Sequence, residues 1–193
     1  MHEFVFVTNN QHKLKEIRHI APDFIKILSL KDVGFSAEIP ETSPTLEGNA
    51  LQKAEFFHNR TGKDCFSDDT GLEVEALNGL PGVHSARFSS DHDFQKNMYK
   101  VLELMQGQIN RKARFRTVIA LILDGQQYFF EGIINGNITT EPRGENGFGY
   151  DPIFIPEGEK RTFAQMTLAE KSKYSHRSRA FEKLMNFLQD YFS

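Results

Sequence analysis

The chain contains the stretch Cys65-Phe66-Ser67-Asp68-Asp69-Thr70-Gly71-Leu72, in which two adjacent acids follow a short apolar run. The apolar residues predict the end of a buried strand, and Gly71 would allow a sharp exit that leaves both acids at the strand's carboxyl end. In α/β proteins, ligands bind at the carboxyl ends of the strands of the sheet. Because neighbouring carboxylates repel each other, one interpretation is a magnesium site, and the other is a helix cap or an Asx turn.

Composition bounds the class of protein. The 193 residues are 39% hydrophobic and 25% charged, which is typical of one globular domain with a sizeable core. A net charge of −3 carries no basic excess, so we expect neither nucleic acid nor a membrane as a partner. The single Cys65 excludes an intrachain disulfide and a cysteine zinc cluster. No apolar run of spanning length and no signal-type start is present, which predicts a cytoplasmic protein.

The first third of the chain predicts a β-α-β-α-β order. Residues 4–7 and 25–28 are short apolar runs rich in β-forming residues, and the 65–72 stretch supplies a third strand. A helix follows Asn10, and a second helix begins after Thr45, which follows a proline-bearing loop at residues 38–44. This order is typical of a mixed or parallel sheet with helices packed against it.

The turn Thr8-Asn9-Asn10 precedes the first helix and is a candidate anion site. Asn10 is a plausible N-cap, and the helix start offers backbone N–H groups and partial positive charge. Lys13, one turn further, adds a full charge. The alternative interpretation is an ordinary surface helix with a solvated lysine.

The middle of the chain predicts an antiparallel lobe. Residues 77–88 are rich in turn formers and predict a long surface connection, and residues 94–105 predict a helix. A buried strand over residues 114–123 runs into a hairpin at Asp124-Gly125, and Asn135-Gly136 is predicted to turn the chain again.

Two later segments could contact a ligand. Residues 144–152 combine three glycines with Phe148 and Tyr150, which favours either a base-stacking loop or a glycine-rich hairpin with a core aromatic. Lys171, His176 and Arg177 lie at or near two predicted helix starts, after a Thr167–Glu170 capping box and a cap at Ser175. They form either an anion site or a solvated basic surface.

Taken together, these segments resemble the inosine/xanthosine triphosphate pyrophosphatase family, also called non-canonical purine NTP pyrophosphatases. The motifs run nearly end to end in the family's order: Thr8-Asn9-Asn10 with Lys13; Glu41-Thr42 with Thr45, Asn49-Ala50 and Lys53-Ala54; Ser67-Asp68-Asp69-Thr70-Gly71-Leu72; Gly79-Leu80-Pro81-Gly82 with Ser85-Ala86-Arg87; Gly147-Phe148-Gly149-Tyr150-Asp151-Pro152; and Glu170-Lys171 with Ser175-His176-Arg177. Two departures lie in one segment. Gly48 stands where relatives commonly have a second acid, and Ser43-Pro44 replaces a more usual glycine.

The resemblance implies an α/β fold with an elongated, two-lobed mixed sheet flanked by helices and a central substrate cleft. It also implies a homodimer that removes ITP, dITP and XTP from the nucleotide pool by hydrolysis to monophosphate and diphosphate. Asp69 would be the catalytic base, and Glu41, Asp68 and Asp69 would hold Mg²⁺. The implied substrate-binding residues are Thr8, Asn9, Asn10, Gln11, His12, Lys13, Lys53, Thr70, Phe148, Gly149, Tyr150, Asp151, Lys171, His176 and Arg177. Of these, residues 148–151 would line the base, and His176 with Arg177 would read its six-position oxygen.

Three other functions compete with this one. A septum-inhibitor-type nucleotide pyrophosphatase would prefer other modified or pyrimidine triphosphates. A haloacid-dehalogenase-type phosphatase needs an Asp-x-Asp spacing that Ser67-Asp68-Asp69 does not provide. A nucleotide-sensing module would bind ITP without hydrolysing it.

Overall fold

The computed structural model describes residues 1–193. Its strands are β1 (His2–Phe6), β2 (Ile25–Leu28), β3 (Cys65–Val74), β4 (Lys112–Leu123), β5 (Gln126–Ile138) and β6 (Phe154–Pro156). Its α-helices are α1 (Gln11–Ile20), α2 (Leu46–Thr61), α3 (Phe94–Leu104), α4 (Leu168–Ser172) and α5 (His176–Tyr191). Short 3-10 helices cover Glu75–Leu77, Gly82–Arg87, Asp151–Ile153 and Phe163–Gln165.

The six strands form one mixed sheet in the order β2-β1-β3-β4-β5-β6. Strand β1 pairs in parallel with β2 and β3, whereas β5 pairs antiparallel with β6. The predicted mixed sheet is therefore confirmed. The chain forms two compact units: unit 1 comprises Met1–Asp69, Thr117–Gly132 and Arg177–Ser193, and unit 2 comprises Thr70–Arg116 and Ile133–His176.

The core of unit 1 has two layers because side chains alternate along its strands. Phe4 and Phe6 of β1 point to the side that packs against α1 and α5, where Ile17 and Leu184 are buried. Val5 and Val7 belong to a second cluster with Ala54 and Phe57 of α2. The apolar faces of α1, α2 and α5 are largely buried, whereas Tyr191 at the end of α5 is exposed.

Unit 2 has its own core. It joins Leu72 and Val74 of β3 to Met98 and Val101 of α3, and it includes Phe115, Ile134, Tyr150, Phe154 and Phe163. The rings of Phe115 and Phe154 pack edge to face with centroids 4.7 Å apart. The predicted helix at residues 94–105 is confirmed with one residue fewer at its end.

The two predicted turns after β4 have different outcomes. Asp124 and Gly125 join β4 to β5 with positive φ at both residues, so the predicted hairpin is confirmed. The predicted turn at Asn135-Gly136 is wrong because both residues lie within the 13-residue strand β5. A Cβ on Gly136 would lie 2.2 Å from the carbonyl oxygen of Ile155, so the glycine serves the close approach of β6 instead.

The predicted exit from the acidic strand is also wrong. Strand β3 continues through both acids and Gly71 to Val74. Gly71 is required for packing, since a Cβ there would lie 2.6 Å from the carbonyl oxygen of Gly82. The acids do lie just beyond the residues of β3 that pair with β1, which end at Phe66. The predicted surface connection at residues 77–88 is partly wrong, because Ser85 is buried and accepts a hydrogen bond from the Leu72 amide at 2.9 Å.

Candidate active site

Asp68 is a buried anion held between two cations in unit 1. Lys13 Nζ donates to Oδ1 at 2.9 Å, and Arg177 Nε donates to Oδ2 at 3.1 Å. Burial alone would raise the pKa of Asp68, but the charges of Lys13 and Arg177 outweigh burial and hold that pKa below its ordinary range. Asp68 therefore fixes two positive groups in one place. The helix-cap and Asx-turn alternative for the acidic pair is wrong, because both acids lie in a strand.

Glu16 extends this cluster and was not predicted. Arg177 Nη1 donates to Glu16 Oε2, and both side chains are buried. Burial would lower the pKa of Arg177, but the charges of Glu16 and Asp68 together outweigh it and raise that pKa. The sequence does contain a signal for a buried Glu16. It lies on α1, three residues after Lys13 and beside the buried Ile17, where a solvated acid is unexpected.

Asp69 has a different environment from its neighbour. It is half-buried, and Asn49 Nδ2 donates to its Oδ2 at 3.1 Å. Burial raises the pKa of Asp69, and the nearby charge of Glu41 raises it further, against the opposing charges of Lys53 and Lys13. A carboxylate with a raised pKa is better suited to accept a proton than one with a depressed pKa. The two adjacent acids thus have different roles: Asp68 pairs with two cations, and Asp69 is a candidate base.

Lys53 lies among oxygen atoms. Its ammonium donates to Glu41 Oε1 and, at 2.8 Å, to the main-chain oxygen of Asp68. Burial would lower the pKa of Lys53, but the charges of Asp69, Glu41 and Asp68 raise it overall. Lys53 therefore stays a cation in a buried position, and a buried cation of this kind can bind an anionic substrate.

The loop that carries Glu41 is held by the first turns of α2. Ser43 N donates to Asn49 Oδ1 at 2.8 Å, and Thr42 N donates to Gln52 Oε1 at 2.8 Å. Thr45 caps α2 as predicted, by accepting from the Gly48 amide. A Cβ on Gly48 would lie 1.9 Å from Ser43 Oγ, so the two departures from the family pattern are matched to each other in space.

The turn before α1 is a capped helix start, as predicted. Asn10 Oδ1 accepts from the amides of His12 and Lys13, and Thr8 Oγ1 accepts from the Asn10 amide. Two of the helix-start amides that could face an anion are thus already bonded to Asn10. Asn9, Gln11 and His12 are exposed around this turn. The charge at this turn comes mainly from Lys13, which is paired with Asp68, so the solvated-lysine alternative is wrong.

A second polar cluster lies in unit 2, around Asp151. Its Oδ2 accepts from Lys171 Nζ at 2.6 Å and from the Phe148 amide at 3.0 Å. The Lys171 ammonium is 5.2 Å from the centroid of the Phe148 ring, within cation–π range. Gly147 has φ +73° and a Cβ there would lie 2.1 Å from Asp151 Oδ2, so only glycine fits. The glycine-rich loop is closed around a buried carboxylate and keeps the Phe148 ring half-buried.

The remaining predicted binding residues are mostly buried. His176 stacks on Phe115 with ring centroids 4.6 Å apart and an interplanar angle of 15°. Lys171, His176 and Arg177 are at most 4% exposed, so the alternative of a solvated basic surface is wrong. Tyr150 packs in the unit 2 core and donates its hydroxyl to Ser85 O at 2.7 Å, a structural role for a core aromatic. Gly149 adopts positive φ beside it, and Thr70 follows Asp69 in β3.

The donor set allows a test of the predicted metal. No group of three or more His, Cys, Asp or Glu side chains is arranged to hold an ion. Both oxygens of Asp68 accept from cations, whereas Glu41 accepts from Lys53 through Oε1 and Asp69 accepts from the neutral Asn49 amide through Oδ2. Magnesium is commonly held by one or two carboxylates together with substrate phosphates. Glu41 and Asp69 fit that pattern, and Asp68 fits it less well.

Comparisons with known proteins give a consistent result along the chain. The model of the Ham1 family matches residues 4–187. The dITP/XTP pyrophosphatase of Porphyromonas gingivalis is 53% identical over 97% of this chain and 98% of that protein, and that of Flavobacterium psychrophilum is 49% identical over 97% and 100%. A solved HAM1 protein from Coxiella burnetii superimposes with a TM-score of 0.89 at 36% identity, covering 98% of this chain and 100% of that one.

None of the helices has the length and apolar character needed to cross a bilayer.

Proposed function

The chain belongs to the Ham1 family, and we propose that it hydrolyses the non-canonical purine triphosphates ITP, dITP and XTP to the monophosphate and diphosphate. The relatives at 53% and 49% identity are named dITP/XTP pyrophosphatase. The observation that carries the proposal is the cluster of Lys13, Lys53 and Arg177 around Asp68, with Asp69 alongside. Cations held in place beside a carboxylate suit the cleavage of a polyphosphate by water.

Lys13 and Lys53 bind the polyphosphate in this proposal. Both are cations in largely buried positions, where their interaction with phosphate oxygens is stronger than in water. Asp68 and Glu16 form ion pairs with the Arg177 guanidinium and keep it oriented beside the two lysines. Lys171, another of the substrate-binding residues that the resemblance implies, is paired with Asp151 in unit 2, so we assign it to the base-binding loop.

Asp69 is the proposed base. It accepts a proton from the water that attacks the α-phosphorus, and the bond to the bridging oxygen of the diphosphate breaks as the new bond forms. Asn49 Nδ2 donates to Asp69 Oδ2 at 3.1 Å, which holds this carboxylate in place for the proton transfer. Diphosphate leaves intact because the attack is at the α position.

We further propose a magnesium-dependent reaction, with Glu41 and Asp69 as the protein ligands. When bound, the ion would neutralise charge on the phosphate oxygens. The chain's own contribution is an oxygen-only donor set, which favours magnesium over metals that prefer nitrogen or sulfur. The participation of Asp68 as a third ligand, the homodimer and the cytoplasmic location stay predictions.

Base recognition is assigned to unit 2. The Phe148 ring is half-buried in a loop that the Asp151–Lys171 pair holds closed, and stacking on a purine suits a ring in that position. His176, the first residue of α5, would donate to the six-position oxygen that inosine and xanthosine present and adenine does not. The reading of this oxygen by Arg177 also stays a prediction, since its Nε and Nη1 are bonded to Asp68 and Glu16.

A product panel tests the proposal. Purified protein with magnesium is offered ITP, dITP, XTP, ATP, GTP, dUTP and dTTP, and diphosphate and orthophosphate are quantified separately. We expect diphosphate from the first three at the highest kcat/KM, and none when the metal is chelated. A preference for dUTP or dTTP would indicate the septum-inhibitor-type activity. Orthophosphate as first product would indicate a phosphatase, and binding without turnover a sensing module.

A further inference from the structure

Asn49 connects the candidate base to the loop that carries Glu41. We infer that Asn49 is a positioning residue. It orients the Asp69 carboxylate and fixes the position of that carboxylate relative to residues 41–43. The inference deepens the proposed function and rests on it. Asn49 has none of the assigned roles in binding, metal coordination or proton transfer.

The geometry identifies which end of the amide faces which partner. Asn49 is 1% exposed, in the first turns of α2. Ser43 offers a backbone N–H, which can only donate, so the side-chain oxygen of Asn49 must face it, at 2.8 Å. The amide nitrogen then faces Asp69 Oδ2, at 3.1 Å. The two partners are a donor and an acceptor, and only an amide satisfies both in this orientation.

The contact to Asp69 restricts a rotation that matters for proton transfer. The terminal torsion of an aspartate is broad and soft, so an unrestrained carboxylate can turn its oxygens away from an attacking water. A hydrogen bond to Oδ2 fixes the carboxylate plane and, with it, the direction in which Oδ1 points. A misplacement of about 1 Å at a reacting group can cost roughly a hundredfold in rate.

Gln52 provides a matched control one turn further along α2. Its Oε1 accepts from the Thr42 amide at 2.8 Å, and its Nε2 donates to Thr42 Oγ1 at 2.9 Å. Gln52 therefore holds the same loop, but both of its hydrogen bonds go to Thr42. A comparison of Asn49 and Gln52 variants therefore distinguishes the effect of holding the loop from the effect of orienting Asp69.

The experiment measures kcat and KM for diphosphate release from ITP in Asn49→Asp, Asn49→Ala and Gln52→Ala. Asn49→Asp is nearly isosteric and keeps the acceptor for Ser43, but it replaces the donor to Asp69 with a repelling oxygen. At a pH well above the carboxyl range, we expect both Asn49 variants to lower kcat by about ten- to a hundredfold with KM changed less than about threefold. Gln52→Ala should change KM more than kcat, because it loosens the loop alone.

A double-mutant cycle completes the test. Asn49→Ala combined with Asp69→Asn should lose almost no activity beyond Asp69→Asn, because Asn49 acts through Asp69. Additive losses, or Asn49 variants with kcat within about threefold of the wild type, would overturn the inference. If Asn49→Asp does not fold, as judged by circular dichroism, then Asn49→Ala and the cycle decide. If the wild type releases no diphosphate, the proposed function fails and takes this inference with it, whereas an active wild type with unaffected Asn49 variants rejects this inference alone.

Discussion

Replacing Asp68 by asparagine should strongly lower the free energy of unfolding. Asp68 is 1% exposed and bonded to both Lys13 and Arg177, so an amide in its place leaves two buried cations without their shared counter-ion. Breaking a buried ion pair on one side costs about 3–5 kcal/mol. For a protein of this size, such a loss lowers the unfolding temperature by roughly 6–20 °C.

Urea unfolding followed by far-UV circular dichroism measures this loss, with Glu3→Gln as the control. Glu3 forms an ion pair with Lys26 at 2.7 Å, but both side chains are 53% exposed, so solvent screens the pair and little stability should be lost. An equal effect in the two variants, or a loss below about 1 kcal/mol in Asp68→Asn, would refute the role of Asp68 as a buried counter-ion.

The same comparison has a pH dependence of known sign. The pKa of Asp68 is lower in the folded than in the unfolded chain, so its contribution to stability is present above its unfolded pKa of about 3.9 and is lost as the pH falls below that value. The stability difference between wild type and Asp68→Asn should therefore be constant near neutrality and shrink in acid. A difference that grows as the pH falls would contradict the depressed pKa.

Three further predictions concern activity. Asp69→Asn should lower kcat by at least about a hundredfold with folding intact, and near-normal turnover would remove Asp69 from the role of base. His176→Ala should narrow the kcat/KM preference for ITP over ATP, so an unchanged ratio argues against base recognition by His176. Gly147→Ala should raise KM for ITP more than Gly149→Ala does: both glycines have positive φ, but only at 147 would the new Cβ meet Asp151 Oδ2, at 2.1 Å. If the two variants raised KM equally, the cause would be the positive φ of the backbone alone and not the contact with Asp151.

Local structure in this protein follows directly from the amino-acid sequence. The caps at Asn10 and Thr45, the capping box at Thr167 and the hairpin at Asp124-Gly125 all form where the sequence predicts them. Each depends on hydrogen bonds or backbone angles within a few residues, so neighbouring sequence is sufficient to specify it. The order of strands and helices, and hence the mixed sheet, follows from the same local patterns.

The other features depend on long-range contacts, because the residues that meet are distant in the chain. The glycines at 71 and 136 serve close approaches of Gly82 and Ile155, which no local pattern distinguishes from turns. Arg177 meets Asp68 across 109 positions and Glu16 across 161. Which of two adjacent acids is clamped by cations and which keeps a raised pKa depends on those long-range charges and on burial, and both exist only once the chain has folded.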